Sequence, residues 1–410
     1  MKNLFIISLL LLSQPVKSQW FQQEIDPAVN LFDVRFINRY TGWVCGDNRI
    51  FKTTNAGMNW VEQSNPAQSL LWQIHPVNEN VVYAAGLCTI LKTTNGGGNW
   101  LALRINPTPC AGQQYTSLWF KNESTGWFGG EQIAIRTTNG GLTFVDSANI
   151  NYSMYDIKFF DDSIGVMAGF GGTLRTTNSG TSWYEVKLPH FAKSPDVYRM
   201  SFLKNIGWCG TLSNKVYKTM DFGVSWDSIT LIQANSGNNR THCVEFPSGM
   251  IGYAGCTQGK IYKSTDGGLS WNLHPTSVYG IPIYRAIYGY DDNVVWAVGR
   301  GKILHTVNGG LTDTKQHSQF IPTGSKLHQN FPNPFNPHTT VRFDISKSAQ
   351  ATLLIYDIAG RLITCLLDKK MNPGSYETVF NAGSLSSGYY LCVLEVDGKA
   401  SESRKLAFLK

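Results

Sequence analysis

The sequence predicts an all-β chain, a seven-bladed β-propeller followed by a small immunoglobulin-like β-sandwich. Three observations carry this reading. Gly (40) and Trp (12) are plentiful, while charged residues make up only 15% of the 410 residues. An average soluble chain has roughly 25% charged residues, so this bias favours strands and tight turns over helices. An eight-residue turn motif returns seven times at a spacing of about forty residues, the length of one four-stranded blade. After Thr314 the motif stops and strand-alternating segments of different composition follow.

The first element is a leader. Leu4 to Leu12 is apolar but too short to span a bilayer. It follows Lys2 and precedes Val16-Lys17-Ser18, a small-residue cleavage pattern, so residues 1–18 are expected to be a secretory signal peptide. No transmembrane segment is expected in the mature chain. The net charge of +7 is mild and spread along the sequence, which gives no ground for a nucleic-acid partner.

The propeller is expected over 19–320. Its motif begins as Thr53-Thr54-Asn55-Ala56-Gly57-Met58-Asn59-Trp60 and recurs around Asn95, Asn139, Asn178, Asp221, Asp266 and Asn308. Asn or Asp caps its own backbone in such a turn and the following Gly supplies positive φ. Five of the seven positions carry neutral Asn, which lacks the charge a hard cation requires, so these are turn residues and not metal ligands. Twelve or thirteen residues earlier stands Trp43, Tyr83, Trp127, Val166, Trp208, Tyr253 or Trp296, read as packing between blades. The seventh repeat ends in Asp313 instead of Trp. Gln19-Trp20-Phe21-Gln22-Gln23 resembles the other outer strands and is expected to complete blade seven, removing an exposed edge.

Residues 321–326 read as a linker and 327–410 as a β-sandwich. Val341-Arg342-Phe343-Asp344-Ile345 and Leu353-Leu354-Ile355-Tyr356-Asp357 show strand periodicity, and Gly360-Arg361 makes a turn.

The turn motif has the form of the Asp-box, or BNR repeat. With the Gly-Trp pairs and the Thr-Thr-Asn-Gly-Gly runs, residues 19–320 resemble the photosystem II stability/assembly factor family of seven-bladed propellers. That resemblance implies a non-enzymatic scaffold that presents a face to a protein or surface polymer. A photosystem client fits poorly with the export expected below. Asp-boxes also occur in sialidases, so a sialidase-like glycoside hydrolase is the alternative. The Arg-Ile-Pro motif of that family is absent, and Asp47, Glu131 and Asp196 come from different blades. A structural surface protein with no discrete ligand is the third reading.

Residues 327–410 resemble the type A C-terminal sorting domain of type IX secretion. The matching pieces are Pro332-Asn333-Pro334-Phe335-Asn336-Pro337, Tyr356-Asp357-Ile358-Ala359-Gly360-Arg361 and Leu385-Ser386-Ser387-Gly388-Tyr389-Tyr390. The resemblance implies periplasmic transit, recognition by the type IX machinery, and release outside the cell or attachment to its surface.

No catalytic residue, metal site or cofactor is expected: there is no Walker loop, no GxGxxG and no paired CxxC. The binding candidates are basic residues in hairpin turns of blades five to seven and one, Arg49, Lys215, Lys260, Arg300 and Lys302, joined by Arg240. Together they would form a one-sided patch for an acidic partner. A basic residue also precedes every Asp-box (Lys52, Lys92, Arg136, Arg175, Lys218, Lys263, His305), which reads first as a long side chain lying over the blade edge. Cys243–Cys256, flanking one hairpin, and Cys88–Cys110, in loops of one face, are the expected disulfides.

Overall fold

The computed structural model describes residues 20–409 apart from 27, 106–113, 189–195, 213–214, 231–239, 275, 277–280, 308, 311–314, 319–321 and 383–384. The expected leader at 1–18, the Asp-box residue Asn308 and Cys110 therefore lie outside the described residues. The described chain is strands and turns, and none of it is a helix long and apolar enough to cross a membrane.

Seven blades surround one axis. Blade one runs outward through Leu31–Phe36, Gly42–Gly46, Ile50–Thr53 and Val61–Gln63, each strand antiparallel to the last. Blade two is Leu71–Pro76, Val82–Gly86, Thr89–Thr93 and Leu101–Ile105. Blades three and four form one continuous sheet, because the strand Val145–Phe159 is the outermost of the third and the innermost of the fourth. Blades five and six begin with the inner strands Val197–Leu203 and Thr241–Glu245. Blade seven has Ala286–Gly289, Val295–Val298 and Lys302–Thr306, and its fourth strand is Phe21–Glu24 from the N-terminal side, with Phe21 opposite His305. The ring is thus closed by the strand the sequence pointed to, which pairs the otherwise open side of Lys302–Thr306 and gives blade seven four strands like its neighbours.

The described Asp-box turns satisfy themselves, as the first shows. Thr53 Oγ1 donates to Asn55 Oδ1 at 2.9 Å, Gly57 N–H donates to Thr53 Oγ1, and Asn59 N–H donates to Asn55 Oδ1 at 3.0 Å. The basic residue before the turn then latches the next blade. Lys52, Lys92 and Lys263 donate to the carbonyls of Gly96, Gly140 and Gly309 at 2.8, 3.1 and 2.8 Å. Their ammonium groups also lie 5.1–5.3 Å from the ring centres of Trp43, Tyr83 and Tyr253. Trp43, Trp127, Trp208 and Trp296 are fully buried between blades.

The C-terminal unit is a sandwich of two four-stranded sheets. One has the order Leu362–Met371, Ala349–Asp357, Gly388–Val396, Lys399–Phe408; the other has Lys315–Ser318, Gly374–Asn381, His338–Ile345, Lys326–Leu327. Phe343, Leu353, Ile355, Leu394, Leu406 and Phe408 fill its core. The segment Lys315–Ser318 pairs here, with Gly374–Asn381, and not with blade seven. The sandwich borders the propeller on its Asp-box face, where Ala56, Met58 and Val307 share a cavity with Leu354 and Thr364.

The Cys243–Cys256 bridge does not form; both thiols are free and buried. Register explains the difference, since Cys243 pairs with Gly255 and Cys256 with Thr241. The two side chains leave opposite faces of the blade. Cys243 packs with Tyr253 and Tyr284 toward blade seven, and Cys256 with Trp208 and Tyr262 toward blade five. Cys88 is disulfide-bonded.

Candidate functional site

The inner strands share an irregularity that builds a site. In six blades one residue is skipped in the pairing with the second strand: between Leu31 and Asp33, Leu71 and Gln73, Tyr115 and Ser117, Met154 and Asp156, Val197 and Arg199, and Thr241 and Cys243. A bulge of this kind re-aims the unpaired side chain. The skipped residues are Phe32, Trp72, Thr116, Tyr155, Tyr198 and His242, and all six line one cavity with Arg285 of blade seven. Each blade therefore contributes one side chain to a ring at the mouth of the axial channel. The bulge also constrains the facing strand: a Cβ on Gly86 or Gly130 would stand 1.7 or 1.6 Å from the carbonyl oxygen of Leu70 or Gln114. Only glycine permits that approach.

The cavity holds about 380 Å³, the scale of a small-ligand site. Phe32 and Trp72 meet with ring centroids 4.6 Å apart, and Tyr155 stacks on Tyr198 at 4.9 Å. His242 meets Tyr198 edge-on at 5.1 Å, and the Arg285 guanidinium lies 5.8 Å from the Phe32 ring centre.

The floor is polar and closed. Arg199 crosses the axis and donates to the carbonyls of Phe32, Trp72 and Tyr155 at 3.2, 3.0 and 3.4 Å. Below it, side chains tie inner strand to inner strand. Asp33 accepts from Ile74 N–H, Gln73 from Leu118 N–H, and Asp156 from Met200 N–H at 2.7 Å, while Gln73 Nε2 donates to Asp156. Burial alone would raise the Asp156 pKa; Lys158, Arg199, Arg35 and the Met200 N–H outweigh it and hold the carboxyl below its ordinary value. Asp33 and Asp156 are thus occupied in holding blades together, Glu245 lies beside Arg35 and Lys158 in the same axial cluster, and among the described residues no Asp or Glu lines the cavity above them.

None of the six basic residues singled out from sequence lines this cavity. Asn30, which does line it, accepts the hairpin turns on either side: its N–H donates to Asp47 at 2.8 Å and it bridges to Arg300. Arg49 is committed to ion pairs with Asp26 at 2.7 Å and Glu62 at 2.5 Å. Lys302 lies opposite Glu24, Lys260 sits in the blade-six hairpin, and Lys215 opens the third strand of blade five. Arg240 stands two residues before His242, with its N–H bonded to Thr257 Oγ1. The cations that meet the cavity are Arg285 and Arg199, which composition alone did not reveal. A periodic signal did exist: Phe32 precedes Asn55 by the same interval as Trp72 precedes Asn95 and Tyr155 precedes Asn178.

Two family models match the chain. Residues 329–408 match the "Secretion system C-terminal sorting domain", and residues 12–118 match "Photosynthesis system II assembly factor YCF48". The C-terminal domain marks the protein as cargo of type IX secretion, bound for the cell surface or the exterior. Among solved structures, "YCF48 bound to D1 peptide" is similar at a TM-score of 0.58 and 17% identity, covering 71% of this chain and 97% of that one. "YCF48 from Cyanidioschyzon merolae" gives 0.57 and 16%, over 70% and 98%. "Structure of U3-55K" gives 0.54 and 9%, over 70% and 98%. At these identities the likeness is one of fold. Among curated proteins none is similar enough in sequence to match.

Proposed function

We propose that this is an exported, non-enzymatic binding scaffold. Its propeller holds a protein or surface polymer at the axial cavity and the basic turns around it, and its C-terminal domain serves export. The observation that carries the reading is the ring of seven side chains, one from each blade and six of them at bulge positions, over a floor sealed by Arg199. Such a cavity, aromatic with a few convergent polar groups, suits ligand capture. Glycoside hydrolysis by the usual route requires two carboxyl groups at the bond to be cleaved, and this lining has none. The solved propeller bound to D1 peptide supports a binding role for a ring of this fold.

The test is capture from the producing cell's surface fraction with the whole protein. A variant with Trp72→Ala and Tyr198→Ala should lose the partner. A second, with Arg49, Lys215, Arg240, Lys260, Arg300 and Lys302 changed to Ala, reports whether the surrounding charge attracts an acidic one. Unchanged capture by both variants, or turnover of a glycoside panel, would overturn the proposal.

A further inference from the structure

We propose that the axial cavity seats one carboxylated sugar residue, a hexuronate unit of an acidic glycan, and holds it without cleaving it. This rests on the binding reading above and names its ligand class.

The walls are flat and apolar where a sugar ring presents its C–H faces: Phe32 with Trp72 on one side, Tyr155 with Tyr198 on the other. The charge is placed to one side. Arg285 forms no ion pair and no side-chain hydrogen bond among the described residues, although its guanidinium is braced over Phe32. Its planar fork suits a carboxylate.

A second observation is independent of that charge. Among the described residues, Trp72 Nε1 and both ring nitrogens of His242 are buried without a hydrogen-bond partner, and His242 is only 5% exposed. Unpaired buried polar atoms are costly and rare. Burial, then Arg285 and Arg240, lowers the His242 pKa to about 4, so at neutral pH the ring offers one donor and one acceptor. A hydroxyl answers both; a carboxylate answers only the donor. Tyr198 covers His242 edge-on, so pairing requires a turn of that ring.

A peptide backbone finds less here. Arg199 already takes the carbonyls of Phe32, Trp72 and Tyr155, and the inner strands are paired within their blades, so the mouth offers no strand edge for an added chain.

Calorimetric titration of the full chain with trigalacturonate, galactotriose and an acidic hexapeptide tests this. Trigalacturonate should bind, remain intact, and exceed galactotriose by about tenfold or more, as expected for one charge-assisted pair. Arg285→Met should erase that preference and Arg285→Lys restore part of it. His242→Phe should weaken both sugars alike, with melting temperatures serving as fold controls. No binding of trigalacturonate, indifference to Arg285→Met, or shortening of the sugar would overturn the inference. Peptide binding without sugar binding would overturn it while leaving the scaffold reading intact; if capture of any partner also failed, both would fall.

Discussion

Trp296 and His305 lie face to face, their ring centroids 4.8 Å apart and their planes 3° from parallel. His305 occupies the position before the seventh Asp-box, where the other blades place Lys or Arg. It is buried, and burial, with Arg39 nearby, lowers its pKa to about 3. The folded protein therefore keeps the ring neutral at a pH where an unfolded chain, with an ordinary value near 6.5, protonates it. Stability from a lowered histidine is complete above 6.5 and is lost as the pH falls toward the folded value. His75, His242 and His274 are lowered too. We expect unfolding free energy to drop between pH 7 and pH 5. His305→Phe, which preserves the stack, should remove about 2 kcal/mol of that drop. Denaturant titrations at the two pH values decide it; an unaltered drop refutes the assignment.

Trp20 anchors the closing strand. It is buried beside Tyr253 and His274, with ring centroids 6.3 and 6.2 Å away, immediately before Phe21–Glu24 joins blade seven. Trp20→Ala should cost about 3–5 kcal/mol, the usual range for deleting a buried indole. It should also expose blade seven to proteolysis. A loss below about 1 kcal/mol would show that closure does not depend on this contact.

The lysine latches should act independently, because Lys52, Lys92 and Lys263 serve different blade interfaces. Methionine keeps each stem and removes the donor and the charge. About 1 kcal/mol per site is expected for a hydrogen bond assisted by a cation over an aromatic ring. The triple variant should then lose about 3 kcal/mol, additive because the sites share no partner. Equilibrium unfolding of the single and triple variants measures this, and a triple loss no larger than one single loss would contradict it.

The blades were legible in the sequence because the Asx turn is local chemistry: Asn55 needs only Thr53, Gly57 and Asn59 to close its bonds. The closing strand was legible because Trp20 repeats the outer-strand pattern that Asp313 breaks. The cavity was not, because it depends on register. Phe32, Trp72, Thr116, Tyr155, Tyr198 and His242 differ in type, and only the bulge gives them a common direction, with Arg285 joining them from blade seven. Arg199 looks like an ordinary strand residue until the ring closes and three carbonyls converge on it. The same register defeated the Cys243–Cys256 bridge, since nearness along a hairpin does not decide which face a side chain leaves.

Thiol chemistry gives a direct check on that register. Cys45, Cys209, Cys243, Cys256, Cys365 and Cys392 are free, and Cys88 is bonded. Alkylation in denaturant without reductant should modify all six free residues, and digestion should yield no Cys243–Cys256 cross-link. Recovery of that cross-linked peptide from protein never exposed to scrambling conditions would show the blade-six register to be wrong.

Sorting and folding should separate cleanly. The strand that completes blade seven is Phe21–Glu24, so no strand of the sandwich contributes to the ring, and Lys315–Ser318 pairs with the sandwich instead. The axial cavity is formed by the inner strands, while the sandwich meets the propeller on the Asp-box face, beside Ala56 and Met58. Removing 327–410 should therefore leave the propeller's melting transition within a few degrees of its value in the full chain, a change of about 1 kcal/mol or less. It should also leave ligand capture intact and stop the protein from reaching the medium or cell surface, because the matched sorting domain is gone. Export of the truncated chain at the full-length level would refute the sorting role; a collapsed transition with export unaltered would mean that the sandwich supports the ring instead.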